Sequence, residues 1–199
     1  MRQSASSLGR DARGIAAVEF AFIAPVLILL ICGTIELGYL YTAQTSLAGA
    51  VARAARQSAT TQESSSQVRK EAMRALVERA MNSFPLAANQ NAVIEVNAFH
   101  SFGDTHPEQY TDMNDNGRYD PPAPDYVGDP FTDRNGNGAW DAEVPYATDT
   151  VGEPGDVIRY SATYPVRHLF TFMTDAAGLR SGARITATAI VRNEPVKTQ

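Results

Sequence analysis

Residues 15–41 run apolar almost without interruption, and charge enters only at Glu19 and Glu36. As a helix this stretch is roughly 40 Å long at ~1.5 Å per residue. A bilayer core takes about 20 apolar residues, so the pattern predicts a membrane-spanning helix over 15–41. Pro25 removes one amide donor and is expected to kink or loosen it. Ala17, Ala21 and Ala24 share a face, and small residues let helices approach closely in lipid. Tyr39 and Tyr41 are placed to anchor the far interface. The alanine-rich residues 42–58 continue the helix, with Leu47, Val51, Ala54 and Ala55 as an apolar stripe. Serines and threonines at 60–66 break the pattern. A second helix is expected over 66–83, with Val68, Ala72, Leu76 and Ala80 on its apolar face and Val77 and Met81 broadening it. Pro85 after Phe84 ends it.

From residue 92 the period changes to two. Ile94, Val96 and Ala98 alternate with Val93, Glu95, Asn97 and Phe99, which predicts a strand. A second strand is expected over 156–170, broken near Pro165, and a third over 183–193, with Ile185, Ala187, Ala189 and Val191 on one face. Residues 171–182 read as a loop or short helix, and 194–199 as a loose tail. Two helices followed by three strands imply an α+β fold, a small antiparallel sheet packed on the helices. The division is a leader at 1–14, the span at 15–41 and one domain at 42–199.

Charge adds an insertion to this plan. The 199 residues carry a formal −5, but residues 103–156 hold thirteen acids against Arg118 and Arg134, a local −11 that leaves +6 elsewhere. Such a block excludes nucleic acid as a partner and favours cations or solvent. Arg2, Arg10 and Arg13 ahead of the span put the N-terminus in the cytoplasm and residues 42–199 outside it. The lone Cys32 forms no intrachain disulfide and reads as a packing residue, so packing or metal must hold the outer domain.

The apolar run is too long for a signal peptide and lacks an AxA-like cleavage site. A simple anchor leaves Glu19 unexplained, because a carboxylate near the membrane costs several kcal/mol unless it pairs or snorkels. Gly14, four mostly apolar residues, then Glu19 and Phe20 resemble the processing site of type IV prepilins. The sequence GIAAVEFAFIAPVLILLICGTIELG is similar to the TadE-like family of the tight-adherence (Tad/Flp) pilus system, with the likeness concentrated over residues 10–55 and weakly supported by the closing IVRNEP. The resemblance implies that a prepilin peptidase cuts after Gly14, leaving a new amine on Ile15. That amine could pair with Glu19 of a neighbouring subunit, making tolerable together two charges that are costly alone. It also implies other pilin or pseudopilin subunits and Tad inner-membrane machinery as partners, and an inner-membrane location with the C-terminal domain periplasmic or extracellular. It does not extend to the acidic insertion.

Within the insertion, TDMNDNGRYD at 111–120 and TDRNGNGAWD at 132–141 share T-D-x-N-x-N-G-x-x-D. Asp112, Asn114, Asn116 and Asp120 match Asp133, Asn135, Asn137 and Asp141, and Gly117 matches Gly138. This resembles the first nine positions of an EF-hand loop, with the seventh-position carbonyl from Arg118 or Ala139. The bidentate glutamate of position 12 is missing: Ala123 and Val144 stand there. Glu143, Asp125 and Asp129 are candidates for the remaining ligands, and calcium is the expected cation. Tyr119 and Trp140 are expected to pack beneath the loops. The competing reading is a pair of ordinary Asn/Asp/Gly turns.

Other chemistry is sparse. His100, His106 and His168 have no zinc-ligand spacing, and no phosphate loop, nucleophile elbow or CxxC is present. An enzyme is not expected, and a periplasmic hydrolase built on the acidic cluster has no marked nucleophile or base. The sequence points to a minor pilin or pseudopilin-like structural component. The alternative is an unprocessed single-pass anchored calcium-binding adhesin, and processing at Gly14 separates the two.

Overall fold

The structure, a computed structural model, describes residues 12–60, 66–172, 178 and 182–194. Most of the expected leader, residues 61–65 of the break, most of the segment ahead of the last strand and the closing tail lie outside the described residues.

Helix α1, Ala12–Thr60, is a single helix of 49 residues, about 74 Å long. It continues through Pro25. Its two halves have opposite environments. Up to Tyr41 its large apolar side chains are mostly exposed, among them Phe20, Phe22, Leu30 and Leu37. From Ala43 onward Leu47, Ala50, Val51, Ala54 and Ala55 are fully or almost fully buried, as the stripe predicts. In the exposed half the polar groups are used internally: the Thr34 and Thr42 hydroxyls donate to the Leu30 and Gly38 carbonyls at 2.8 Å each. Such back-bonding gives each hydroxyl a partner within its own helix.

Helix α2, Ser66–Ala80, ends slightly earlier than expected. A turn follows, with the Phe84 N–H donating to the Met81 carbonyl at 2.8 Å. Its buried face is Met73, Val77 and Met81, while Val68 and Ala72 are exposed and Leu76 and Ala80 lie at the edge. The helix is therefore rotated by about one residue from the expected face. The small Ala50, Ala54 and Ala55 of α1 belong to the same core cluster, and long, adaptable methionines suit the space such residues leave.

Strands β1 (Val93–Phe99), β2 (Ala147–Thr148), β3 (Val157–Arg167) and β4 (Gly182–Arg192) form one antiparallel sheet in the order β2-β1-β3-β4. The faces expected of β1 and β4 are observed, with Ile94, Val96, Ala98, Ile185 and Ala187 in the core with α1 and α2, and β3 adds Ile158, Tyr160, Ala162 and Val166. Buried Tyr160 and Ser58 share a hydrogen bond across it, and the Tyr164 hydroxyl donates to the Phe84 carbonyl at 2.8 Å.

Pro165 does not break β3, contrary to expectation. Its carbonyl accepts the Ala87 N–H at 2.9 Å, and the Arg167 N–H donates to the Pro85 carbonyl at 2.8 Å. A strand residue's N and O point to the same side, so Pro165's missing donor faces residues 85–87 and leaves the β4 ladder intact. Proline is tolerated at such edge-like positions. The two-residue β2 was not legible in the sequence. It pairs Asn97 with Thr148 and Ala98 with Ala147, returning the acidic insertion to the sheet edge from which it departed.

Candidate functional site: the anchor helix and the paired loops

Gly14, Glu19 and Phe20 lie on the exposed half of α1. Ile15 is helical, and its side chain is outside the described residues. A Cβ built on Gly14 meets nothing within 4 Å, so no local packing demands glycine there. The stretch Ala16–Ala59 contains a window with mean hydropathy 2.4 and no buried residue. It is long and apolar enough to cross a membrane. Cys32 is half-buried and free. Glu36 is bound by the segment that follows β3. Its carboxylate accepts the Leu169 and Phe170 N–H groups at 3.0 and 3.3 Å and meets His168 Nδ1 at 2.9 Å. Tyr39 turns to the protein and packs on Phe84 at 5.4 Å, whereas Tyr41 is exposed.

The two acidic repeats fold alike. In the first loop Asp112 Oδ1 accepts the Asn114 N–H at 3.2 Å and Oδ2 accepts the Gly117 N–H at 2.6 Å. The Asn116 and Arg118 N–H groups donate to the side-chain oxygens of Asn114 and Asn116. The carboxamides of Asn114 and Asn116 both donate to Asp120 Oδ2, at 2.8 and 2.6 Å. In the second loop Asn135 and Asn137 converge on Asp141 Oδ2 at 2.8 and 2.7 Å, and Asp133 Oδ2 accepts the Gly138 N–H at 2.8 Å. The Gly138, Gly136 and Asn137 amides hold the Asp133 carboxyl below the usual carboxylate range. The sharp turns need positive φ, and Gly117 and Gly138 supply it at 76° and 77°.

A feature outside the nine-residue repeat joins the loops. Glu108, 1% exposed, accepts the Arg134 N–H at 2.6 Å and the Asp141 N–H at 3.1 Å. Asp129, 3% exposed, accepts the equivalent pair in the other loop, Met113 at 3.0 Å and Asp120 at 2.9 Å. Glu108 stands four residues before Asp112, and Asp129 four before Asp133. Each buried carboxylate thus clasps the loop that follows the other one. The backbone repeats the exchange: Glu108 N–H donates to the Asp141 carbonyl and Asp129 N–H to the Asp120 carbonyl, both at 2.9 Å. A bridge between Tyr110 and Phe131 lies between them. Tyr119 and Trp140 stack at 4.8 Å with 12° between their planes, and Tyr110 and Phe131 meet them edge-on. The module is a pseudo-twofold pair of loops around four aromatic rings.

The clasps differ in one respect. The Tyr126 hydroxyl donates to Asp129. That bond, with the Met113 and Asp120 amides, depresses the Asp129 carboxyl and pushes the Tyr126 phenol up to about 12. In the second loop the Arg134 guanidinium instead grips the Gly103 and His106 carbonyls at 2.6 Å each.

In each loop the two asparagines converge on the ninth-position aspartate, while Asp112 and Asp133 are taken by backbone amides. Glu143 is carried elsewhere, onto Arg159 of β3, and Asp129 is committed to backbone amides. Among the described residues no group of three or more His, Cys, Asp or Glu could hold a metal. Each set of four expected ligands offers two carboxylates, so a cation there would depend on the asparagine and main-chain oxygens as well. The site fits a hard cation with oxygen ligands better than zinc.

Comparison with curated proteins and with solved structures finds no match. The family model described as TadE-like protein matches residues 14–56. The match begins at the glycine ahead of Glu19, covers the exposed half of α1 and nearly all of the buried half, and stops before α2, the sheet and the paired loops. Residues 14–56 are therefore similar to a TadE-like protein over most of α1.

Proposed function

We propose that the chain is a membrane-anchored structural subunit of a Tad-type pilus assembly system, a minor pilin or pseudopilin-like component. A prepilin peptidase cuts it after Gly14, residues 1–14 face the cytoplasm, and the domain beyond the span lies on the outer face of the inner membrane. The observation that supports this reading most is the TadE-like match over residues 14–56, on a helix whose first half is largely exposed among the described residues. After cutting, Glu19 pairs with the Ile15 amine of a neighbouring subunit, and the exposed face of α1 packs against other subunits or lipid.

The paired loops take calcium in this reading. Asp112, Asn114, Asn116, Asp120 and the Arg118 carbonyl would hold one ion, and Asp133, Asn135, Asn137, Asp141 and the Ala139 carbonyl a second. The ions supply positive charge to a block of formal −11. With no position-12 glutamate, binding is expected at about 10⁻⁴–10⁻³ M, as in extracellular modules. Exposure of the loops also favours a second reading, an uncut anchored adhesin, which predicts the same calcium effect without processing.

A reporter fused after Gln199 tests the topology. Activity confined to the outer side fits, and activity confined to the cytoplasm rejects the arrangement. Glu19→Ala should leave cutting largely intact and weaken co-isolation with other subunits. Unchanged association removes the pairing role.

A further inference from the structure

Glu36 fixes a second element of the chain at a defined height along the apolar helix. Residues 16–35 number twenty, about 30 Å of helix, which is the thickness of a hydrocarbon core. A core of that thickness that begins at Ala16 ends at Ile35, so Glu36, the next charge after Glu19, stands just past it in the outer part of the 15–41 apolar run. Its carboxylate is bound by His168, Leu169 and Phe170, so the segment after β3 lies at that same level. The Leu169 and Phe170 N–H groups and His168 Nδ1 are taken by Glu36, while the Leu169 and Phe172 side chains stay exposed and Phe170 is half-buried. Leu169 and Phe172 are 49% and 54% exposed, and the Phe170 and Phe172 rings meet edge-on at 6.1 Å. Leu37 on the adjoining helix turn is 70% exposed. Arg167, exposed at the end of β3, adds a cation beside them. Aromatic and basic residues at this depth suit the headgroup region of a bilayer.

We propose that residues 169–172 are a second membrane contact, lying in the headgroup region of the outer leaflet and held there by Glu36. The inference rests on the anchor reading and goes beyond it. The domain then sits directly on the membrane with two points of support, and its orientation is restricted where a single helix would let it rotate and tilt. The occupant is lipid because the strap is continuous with the apolar span, which a bilayer must cover over the same height.

The test uses the full chain in phosphatidylethanolamine–phosphatidylglycerol vesicles. Wild type supplies a baseline from Trp140, the one native tryptophan, which stands in the paired loops. Phe172→Trp should add a blue-shifted emission that is quenched by lipids brominated near the headgroup end of their chains. Leu169→Trp gives the same reading if Phe172→Trp fails to fold. Leu27→Trp, in the middle of the span, should be quenched by bromines placed deep in the bilayer. Glu36→Ala should reduce quenching at position 172 and leave it unchanged at position 27. Equal quenching at 172 with and without Glu36 overturns its positioning role. If position 27 is quenched and position 172 responds only to an aqueous quencher, the second contact is wrong and the anchor stands. The second contact is equally wrong if position 172 is shielded from both quenchers and cross-links to a second copy of the chain. If neither position responds to brominated lipid, both readings fall.

Discussion

The first half of α1 and the paired loops expose opposite kinds of surface. The helix satisfies its backbone internally and leaves its apolar side chains bare. The loops leave carboxylates near the surface, and satisfy them with their own amides and carboxamides. The helix presents apolar surface with little polar cover, and the loops present an acidic surface opposed within residues 103–156 only by Arg118 and Arg134. The contrast is sharpest inside α1, where Ala43 and the following turns bury the same kinds of side chain that the preceding turns expose. Secondary structure is continuous across that change, so environment alone separates anchor from core.

The largest effects should come from putting each kind of group in the wrong place. Leu27→Arg with Leu30→Arg places two charges in the span at about 2.5–3.5 kcal/mol each on insertion scales. Alkaline extraction should then release the protein from membranes while its domain stays folded. Ala54→Arg should do the reverse, because a charge in the buried half of the same helix disrupts the core and leaves the anchor in place. In the loops, Glu108→Ala orphans the Arg134 and Asp141 N–H groups. At about 1–3 kcal/mol per buried unpaired group, thermal melting should show a loss of about 2–5 kcal/mol, felt mainly in the second loop.

Calcium should act more gently. At ten times the dissociation constant, each site adds about 1.4 kcal/mol by mass action. The full chain in detergent should melt higher in calcium than in chelator. Asp112→Ala or Asp133→Ala should each remove part of the shift, and the double variant nearly all of it. Melting that ignores calcium would reduce the repeats to ordinary turns.

The smallest effect is on pH. Asp129 and Asp133 titrate below the ordinary carboxylate value. Their contribution is complete above the unfolded value of about 3.9 and is lost as pH falls through the lower folded values. Trp140 emission, followed without calcium, should change only below about pH 4. Tyr126→Phe removes the hydroxyl donor to Asp129 and should move that midpoint upward.

Much of this contrast was legible in the residues themselves. The apolar run, the change to period two at residue 92 and the Asp/Asn/Gly spacing each follow from local physics that a sequence states directly. The clasp was present too: Glu108 and Asp129 extend the repeat four residues upstream, with Tyr110 and Phe131 between. A nine-residue template stopped short of it. On α2, Val77 and Met81 were read correctly, but Met73 was missed and Val68 overvalued, because Val68 counts as strongly apolar while packing against an alanine-rich helix rewards the reach of methionine. Pro165 looked like a break because its neighbours 85–87 are distant in sequence. The partners of Glu36 were not legible at all, since they lie more than 130 residues away and are mainly backbone amides, which no side chain announces.

The central claim is that α1 is a processed anchor, and the mass of the protein recovered from host membranes tests it most directly. In a host with active prepilin peptidase, the N-terminal residue should be Ile15, and Gly14→Leu should leave the leader attached, since a side chain there meets no neighbour. A wild-type chain that still begins at Met1 or Arg2 in that host would contradict the account.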